Sequence, residues 1–281
     1  IDKDKGWKMR IVNIQSLVDI LSKNKTPINT PNQISILKKI IADYNGKEVA
    51  DYENIVKILV DAGSGGAGVP ITDFFCEDYV VDGVTYRGII DNDYNDGDIK
   101  KYPNAVRDKL NLVSPAKYKT DLFESLIKMM DQDLIDFTEE YNNSGYITLL
   151  YETDEKGNRK QVYKYPTEKD EKEYKKNGIT FDIVKHKLDR EEEVALKQID
   201  MAKTELVNIY RYPKENGKDR FDLASDKSGK LNDDRAYTIA LLGWQLNLLR
   251  RDHIVNKKSK KTENLGSALP FKKPKRISDR D

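Results

Sequence analysis

Two segments of this chain place carboxylates where chemistry could be built. In the first, the apolar run Ile55 to Val60 (IVKILV) closes on Asp61 and enters the stretch AGSGGAG. A short, β-branched apolar run predicts a strand buried on both faces, as in a sheet flanked by helices. Asp61 then stands at the C-terminal end of that strand, where a carboxylate can hold a cation at the sheet edge. In the second, Asp233 and Asp234 open KLNDDRAYTIALLGWQLNLLRR. One acid at the head of a helix serves capping and the helix dipole. Two adjacent acids exceed what one cap needs, and Arg235 follows them, able to reach a phosphate or to pair with one of the two. Cutting a phosphodiester with two metal ions requires several carboxylates from separate elements, one ion activating water and the other stabilising the leaving oxygen. Hard ions such as Mg²⁺ and Mn²⁺ prefer such oxygen ligands. Asp61, Asp233 and Asp234 are therefore the candidate catalytic residues, with Asp61 and Asp234 as metal ligands.

The glycines after Asp61 admit other chemistry. Residues 63–68, GSGGAG, satisfy G-x-G-x-x-G between an expected strand and an expected helix, which a dinucleotide fold uses to approach a pyrophosphate. Asp91 would then be the ribose-binding acid, but Asp61 at the strand end would repel the pyrophosphate. Gly63 and Gly68 have the spacing of a phosphate-binding P-loop, yet Val69-Pro70 stands where the lysine and hydroxyl belong. A plain tight turn is the fourth reading. In the one centred on Asp61, small residues leave backbone room for a bulky phosphodiester.

The elements that would position these acids follow from periodicity. Lys8 to Leu17 reads as a strand, with Asp4, Lys5 and Gly6 as a hairpin tip and Ile1 ending an earlier strand. Thr30 is a plausible N-cap with Pro31 at the first helical position, and Ile34, Leu37, Ile40 and Ile41 share a helical face that Asn45-Gly46 terminates. A helix is expected from Pro70 through Cys76, strands over 85–90 and 110–113, and a helix over 119–130. Residues 146–165 resemble a long hairpin around EKGN, and 166–190, dense in charge, a solvated excursion. Helices are expected over 191–210 and 233–251, and a Lys-rich, disordered tail from 256 to 281. The order predicts an α/β domain over 1–255, a mixed sheet flanked by helices with a β-hairpin excursion over about 140–190.

Composition limits the remaining choices. The chain has 281 residues, 35% of them charged, and a net charge of +1. A nucleic-acid function would need a local basic face. Lys117, Lys119, Arg235, Arg250, Arg251 and the tail are the candidates for phosphate contact. The single cysteine, Cys76, excludes an internal disulfide and reads as a half-buried helix residue; His186 and His253 are too few and too distant for a His-rich zinc site. No apolar run approaches the ~18 residues of a membrane span, and the N-terminus carries no signal-peptide core. It opens in what reads as a strand pair without a start methionine, which suggests a fragment.

Four stretches, VDAGSGGAGVPITDFF, YRGIID, NLVSPAKYKTDLFESLIKMM and LNDDRAYTIALLGWQL, together resemble the nuclease domain of tailed-phage terminase large subunits, in the family's order. That resemblance implies a ribonuclease-H-like fold that cuts concatemeric double-stranded DNA during genome packaging with Mg²⁺ or Mn²⁺ held by three acids. By order, Asp61 matches the second acid and Asp234 the third, with Asp233 beside it. The first acid belongs on a strand before Ile1, since Asp2 and Asp4 fall in the expected hairpin. Asn232 stands where the family often has histidine. In a second register Asp61 is the first acid and Asp91 the second. The resemblance also implies the portal protein and small terminase subunit as partners, a monomer in isolation that forms a pentameric ring in the motor, no membrane, and a place in the host cytoplasm, docked on the procapsid. A non-catalytic fragment that binds DNA or the portal is the alternative, and a dinucleotide-binding enzyme the next.

Overall fold

The computed structural model describes residues 7–46, 51–62, 73–91, 100–138, 141, 143–162, 168–215 and 217–266. Within them the chain is mixed α/β, with twelve strands and six helices. The strands fall into five small sheets, two parallel and three antiparallel.

The first strand, β1 (Met9–Ile11), is shorter than expected. Residues 12–16 lead instead into a helix, α1 (Leu17–Lys23), whose N-cap Ser16 Oγ accepts from the Asp19 N–H at 3.2 Å. The hairpin tip expected at residues 4–6, with Asp2 and Asp4, lies outside the described residues. In α2 (Thr30–Asn45) the N-cap is Asn29 rather than Thr30. Its Oδ1 accepts from the Asn32 N–H at 3.0 Å, and Gly46, at φ 89°, ends the helix.

β2 (Ile58–Asp61) begins three residues later than the apolar run. β3 (Tyr79–Val81) and β4 (Val84–Tyr86) form a hairpin whose turn residues, Asp82 and Gly83, both have positive φ, as a two-residue primed turn requires. β5 (Ile89–Asp91) follows. The expected strand over 85–90 is thus two strands, broken at Arg87-Gly88. A Cβ on Gly88 would lie 2.0 Å from the Cys76 carbonyl oxygen, so only glycine fits. Residues 74–77 are turn and bend rather than the end of a helix, and Cys76 is buried; residues 70–72 lie outside the described set.

β6 (Val106–Val113) is the middle strand of a parallel sheet ordered β2-β6-β5. Ile58 and Val60 of β2 pack with α2 in one core, and Leu59 packs into a second. The strand does lie between two apolar layers. It is half-buried rather than fully buried because it is an edge strand of that sheet, and Asp61 at its end is exposed.

α3 (Pro115–Asp131) leaves β6 through its N-cap, Ser114. β7 (Ile135–Phe137) then pairs with β1 in parallel. β8 (Tyr146–Thr153) and β9 (Arg159–Val162) form the expected hairpin, with residues 163–165 outside the described set. Residues 166–190, read as a solvated excursion, carry two regular elements. α4 (Glu168–Lys176) is followed by β10 (Thr180–Lys187), which pairs with β8 and is largely exposed.

α5 (Arg190–Val207) starts from a capping box of Asp189 and Glu192. It ends at Val207 because Ile209 begins β11 (Ile209–Tyr212), which pairs with β12 (Arg220–Leu223). α6 (Asp234–Gly266) runs ten residues past the start of the expected tail; residues 267–281 lie outside the described set. Leu122, Phe123 and Leu126 of α3 meet Ile239, Ala240 and Leu246 of α6 in the main core, with Ile199 and Ala202 of α5 and Met9 and Ile11 of β1. The α3–α6 crossing is close at Gly243, where an added Cβ would lie 3.1 Å from the Leu126 Cα.

Candidate active site

Asp61 is positioned by β6. It sits opposite Val113, and the next residue, Ala62, donates its N–H to the Val113 carbonyl at 2.7 Å. One residue beyond Val113, Ser114 starts α3, so Asp61 flanks the root of that helix. On the other side of β6, Asp91 closes β5. It is 4% exposed, and its Oδ2 accepts from the Leu112 N–H at 2.6 Å. One oxygen of Asp91 is therefore committed to holding the end of β6. The glycines of residues 63–68 lie outside the described residues.

The second acidic site lies at the head of α6. The Asp233 carbonyl accepts the Tyr237 N–H at 2.9 Å, the backbone position of an N-cap. Capping of the next amides falls to a different residue. The Arg235 and Ala236 N–H groups both donate to Glu205 Oε2, at 2.9 and 3.1 Å, from α5. The Arg235 guanidinium returns to the same carboxylate, with Nη1 2.5 Å from Glu205 Oε1, and its Nε donates to Gln198 Oε1 at 2.6 Å. The side chains of Arg235 and Glu205 are 18% and 4% exposed. Arg235, expected at DNA, instead pins α5 to α6, because a buried carboxylate demands a cation and the helix start places this one beside it.

Lys119 has a similar fate. From the second turn of α3 its ammonium pairs with Asp222 of β12 and lies 4.7 Å from the Tyr237 ring centroid on α6. Arg220 Nε also reaches Asp222, at 2.7 Å. Lys117 lies in the first turn of α3. Asp233 stands close to Lys119, Asp234 and Asp222. Burial pushes its carboxyl above the ordinary carboxylate range, Lys119 pulls it back, and the two acids raise it further. Asp234 is exposed.

Asp233, Asp234 and Lys119 thus come together, with Asp222 as an acid that nothing in the sequence singled out. Gln198 and Glu205 were also missed. Their seven-residue spacing along the edge of the apolar face of α5 is the signal that two polar groups share a buried border. Asp61 stands beside the root of α3, and Lys119, in the second turn of that helix, meets Asp222 and Tyr237. The donor chemistry, carboxylate oxygens, suits a hard divalent ion. The number does not close: among the described residues no three His, Cys, Asp or Glu side chains are gathered closely enough to hold a metal. No helix among them is long and apolar enough to cross a membrane.

No family model matches the chain, and no curated protein and no solved structure matches it.

Proposed function

We propose that this chain is a DNA-cutting domain of the terminase-large-subunit type, ribonuclease-H-like in fold, which hydrolyses phosphodiesters of concatemeric double-stranded DNA with Mg²⁺ or Mn²⁺. The single observation that carries the reading is that Glu205 does the capping of α6, so that capping does not account for the carboxylates of Asp233 and Asp234. Asp61, at the open end of a parallel strand, supplies the other contribution from this chain. Asp61 and Asp234 are the ligands on this proposal. A divalent ion bound by such acids supplies an activated water and a charge to offset the leaving oxygen.

Asp233, its carboxyl raised by burial, is the group in the cluster best suited to hold and release a proton. Lys119 limits the repulsion among Asp222, Asp233 and Asp234. Portal protein and small terminase subunit as partners, a pentameric ring in the motor, and a place in the host cytoplasm on the procapsid belong to the same proposal.

The test is calorimetric Mn²⁺ titration together with plasmid nicking. Wild type binds Mn²⁺ and nicks, and Asp61→Asn and Asp234→Asn lose both. Unchanged Mn²⁺ binding and nicking in the two variants would overturn it. A second reading is a non-catalytic DNA- or portal-binding module. It expects salt-sensitive DNA binding with neither Mn²⁺ binding nor nicking.

A further inference from the structure

β10 (Thr180–Lys187) forms one edge of the sheet ordered β10-β8-β9. It pairs with β8 along its whole length, without a break in register. A strand has two hydrogen-bonding edges. The one turned away from β8 takes no backbone hydrogen bond among the described residues. Successive side chains of a strand point to opposite faces. Ile183 and Val184, 51% and 42% exposed, therefore look out on opposite sides of the sheet. Asp182 and Lys185 beside them are exposed as well. A layer missing from one face would bare only one of the two apolar residues, so it is the edge itself that lies uncovered.

A long bare edge is a template for a further strand, and proteins blunt it with short length, proline, bulges or charge. β10 has eight residues, no proline and no bulge. Charge is what it has: Asp182, Lys185 and Lys187. Whether these charges repel a second copy of the chain depends on register. Two copies related by a two-fold axis pair antiparallel, each residue facing one from the same face of the strand. Centred on Asp182 or Lys185, the axis sets like charges directly opposite each other, which is destabilising. Centred on Ile183, it sets Asp182 against Val184. Centred on Val184, it opposes no like charges. Val184 then meets Val184, Ile183 meets the aliphatic stem of Lys185, Asp182 meets His186 and Phe181 meets Lys187. Asp182 is loosely held within its own chain, by Arg159 at 3.5 Å with both side chains exposed.

We propose that the β10 edge is a self-association surface, on which a second copy of this chain docks its own β10 antiparallel about a two-fold axis at Val184. The two three-stranded sheets become one continuous sheet. Main-chain hydrogen bonds supply the attraction and the opposed side chains fix the register. The contact is isologous, so it closes at two copies. The isolated chain is then a dimer rather than the monomer that the family resemblance implies, and the contact is independent of the acids at the head of α6.

The test is sedimentation equilibrium of the full chain from low to high micromolar concentration. The wild-type mass rises toward twice the 32.4 kDa of one chain. Val184→Lys and Val184→Glu each set like charges across the axis and weaken association by about tenfold. Their circular dichroism spectra match wild type, because the position faces solvent. Mixing the two variants restores the dimer, since lysine and glutamate then meet at the axis, and this recovery also shows that both variants are folded. A wild type that stays monomeric at every concentration, a dimer that Val184→Lys leaves intact, or a mixture that associates no better than its parts would each overturn the proposal.

Discussion

The Arg235–Glu205 pair decides between two roles for one arginine, and its energetics can be worked out. Glu205 is 3% exposed and receives three donors, the Arg235 Nη1 and the N–H groups of Arg235 and Ala236. Arg235→Met removes the cation and leaves the carboxylate buried. Breaking a buried pair from one side costs roughly 3–5 kcal/mol. Two backbone donors remain on Oε2, so the lower end, about 3 kcal/mol, applies. For a domain of this class each kcal/mol moves the midpoint by roughly 2–4 °C, so Tm should fall by about 6–12 °C. The double variant Glu205→Leu/Arg235→Met removes both charges. It leaves the α6 amides uncapped, about 1 kcal/mol, while the Gln198 amide oxygen loses its Arg235 donor in both variants alike. The double variant should therefore be more stable than the single one. Thermal melts of the three proteins, with fluorescence-anisotropy DNA binding below the lowest midpoint, test this. An Arg235→Met protein that melts within 2 °C of wild type but has lost DNA affinity would refute the structural role and return Arg235 to the DNA. A double variant less stable than the single would refute the buried-charge argument.

Three further outcomes follow from the same contacts. Asp233 has its carboxyl raised from the ordinary value of 3.8, so the folded protein binds that proton more tightly than the unfolded one. Its contribution is therefore fully favourable below 3.8 and is lost as pH rises through the folded value. Asp233→Asn should then raise Tm at neutral pH, and the gain should vanish in melts below about pH 3.8. In the β8–β9 turn the Asp154 carboxylate accepts the Lys156 and Asn158 N–H groups at 2.9 and 2.8 Å, and the Asn158 side chain holds its pKa below 3.8. That stabilisation is present above 3.8 and lost as pH falls through the lowered value, so amide protection at Lys156 and Asn158 should collapse at acid pH and be absent throughout in Asp154→Ala. Gly88→Ala would press a Cβ to 2.0 Å from the Cys76 carbonyl oxygen. Backbone must move on one side, and urea unfolding should show a loss of about 3 kcal/mol; a loss under 0.5 kcal/mol would mean that the two segments are not packed this closely.

Long periodic segments were the most legible in sequence. The faces of α2, α3, α5 and α6 follow from the 3.6-residue spacing of Ile, Leu and Ala, whereas the hairpin turn at Asp82-Gly83 was missed although Asp-Gly is a turn signal. Two kinds of feature were not legible. Strand limits depend on partners: β1 ends at Ile11 because β7 offers three residues of pairing, whatever the apolar pattern of residues 12–17 suggests. Charge assignments depend on tertiary neighbours. Arg235 and Lys119 have the composition of phosphate contacts, but Glu205 and Asp222 claim them from distant segments. Nothing local in DRFDLAS announces that Asp222 will lie beside Asp233.

The capping of α6 from a neighbouring helix bears on why two aspartates stand at its start. An N-cap carboxylate normally satisfies the first free amides, yet here Glu205 satisfies those of Arg235 and Ala236. The remaining structural account is the helix dipole, worth roughly 0.3–1 kcal/mol for an exposed acid. Against it stand the burial of Asp233 and, secondarily, its crowding with Asp234 and Asp222, which raise the Asp233 carboxyl and so cost stability when it ionises. The two accounts separate in one variant, Asp234→Asn, melted with and without Mn²⁺. If the dipole is the whole reason, the variant loses roughly 0.3–1 kcal/mol and Mn²⁺ shifts wild type and variant equally. If Asp234 is a ligand, Mn²⁺ at a hundredfold excess over its dissociation constant stabilises wild type by about 2.7 kcal/mol and leaves the variant where it was. Equal shifts in the two proteins would reduce Asp234 to a dipole partner and remove the acid on which the proposed chemistry depends.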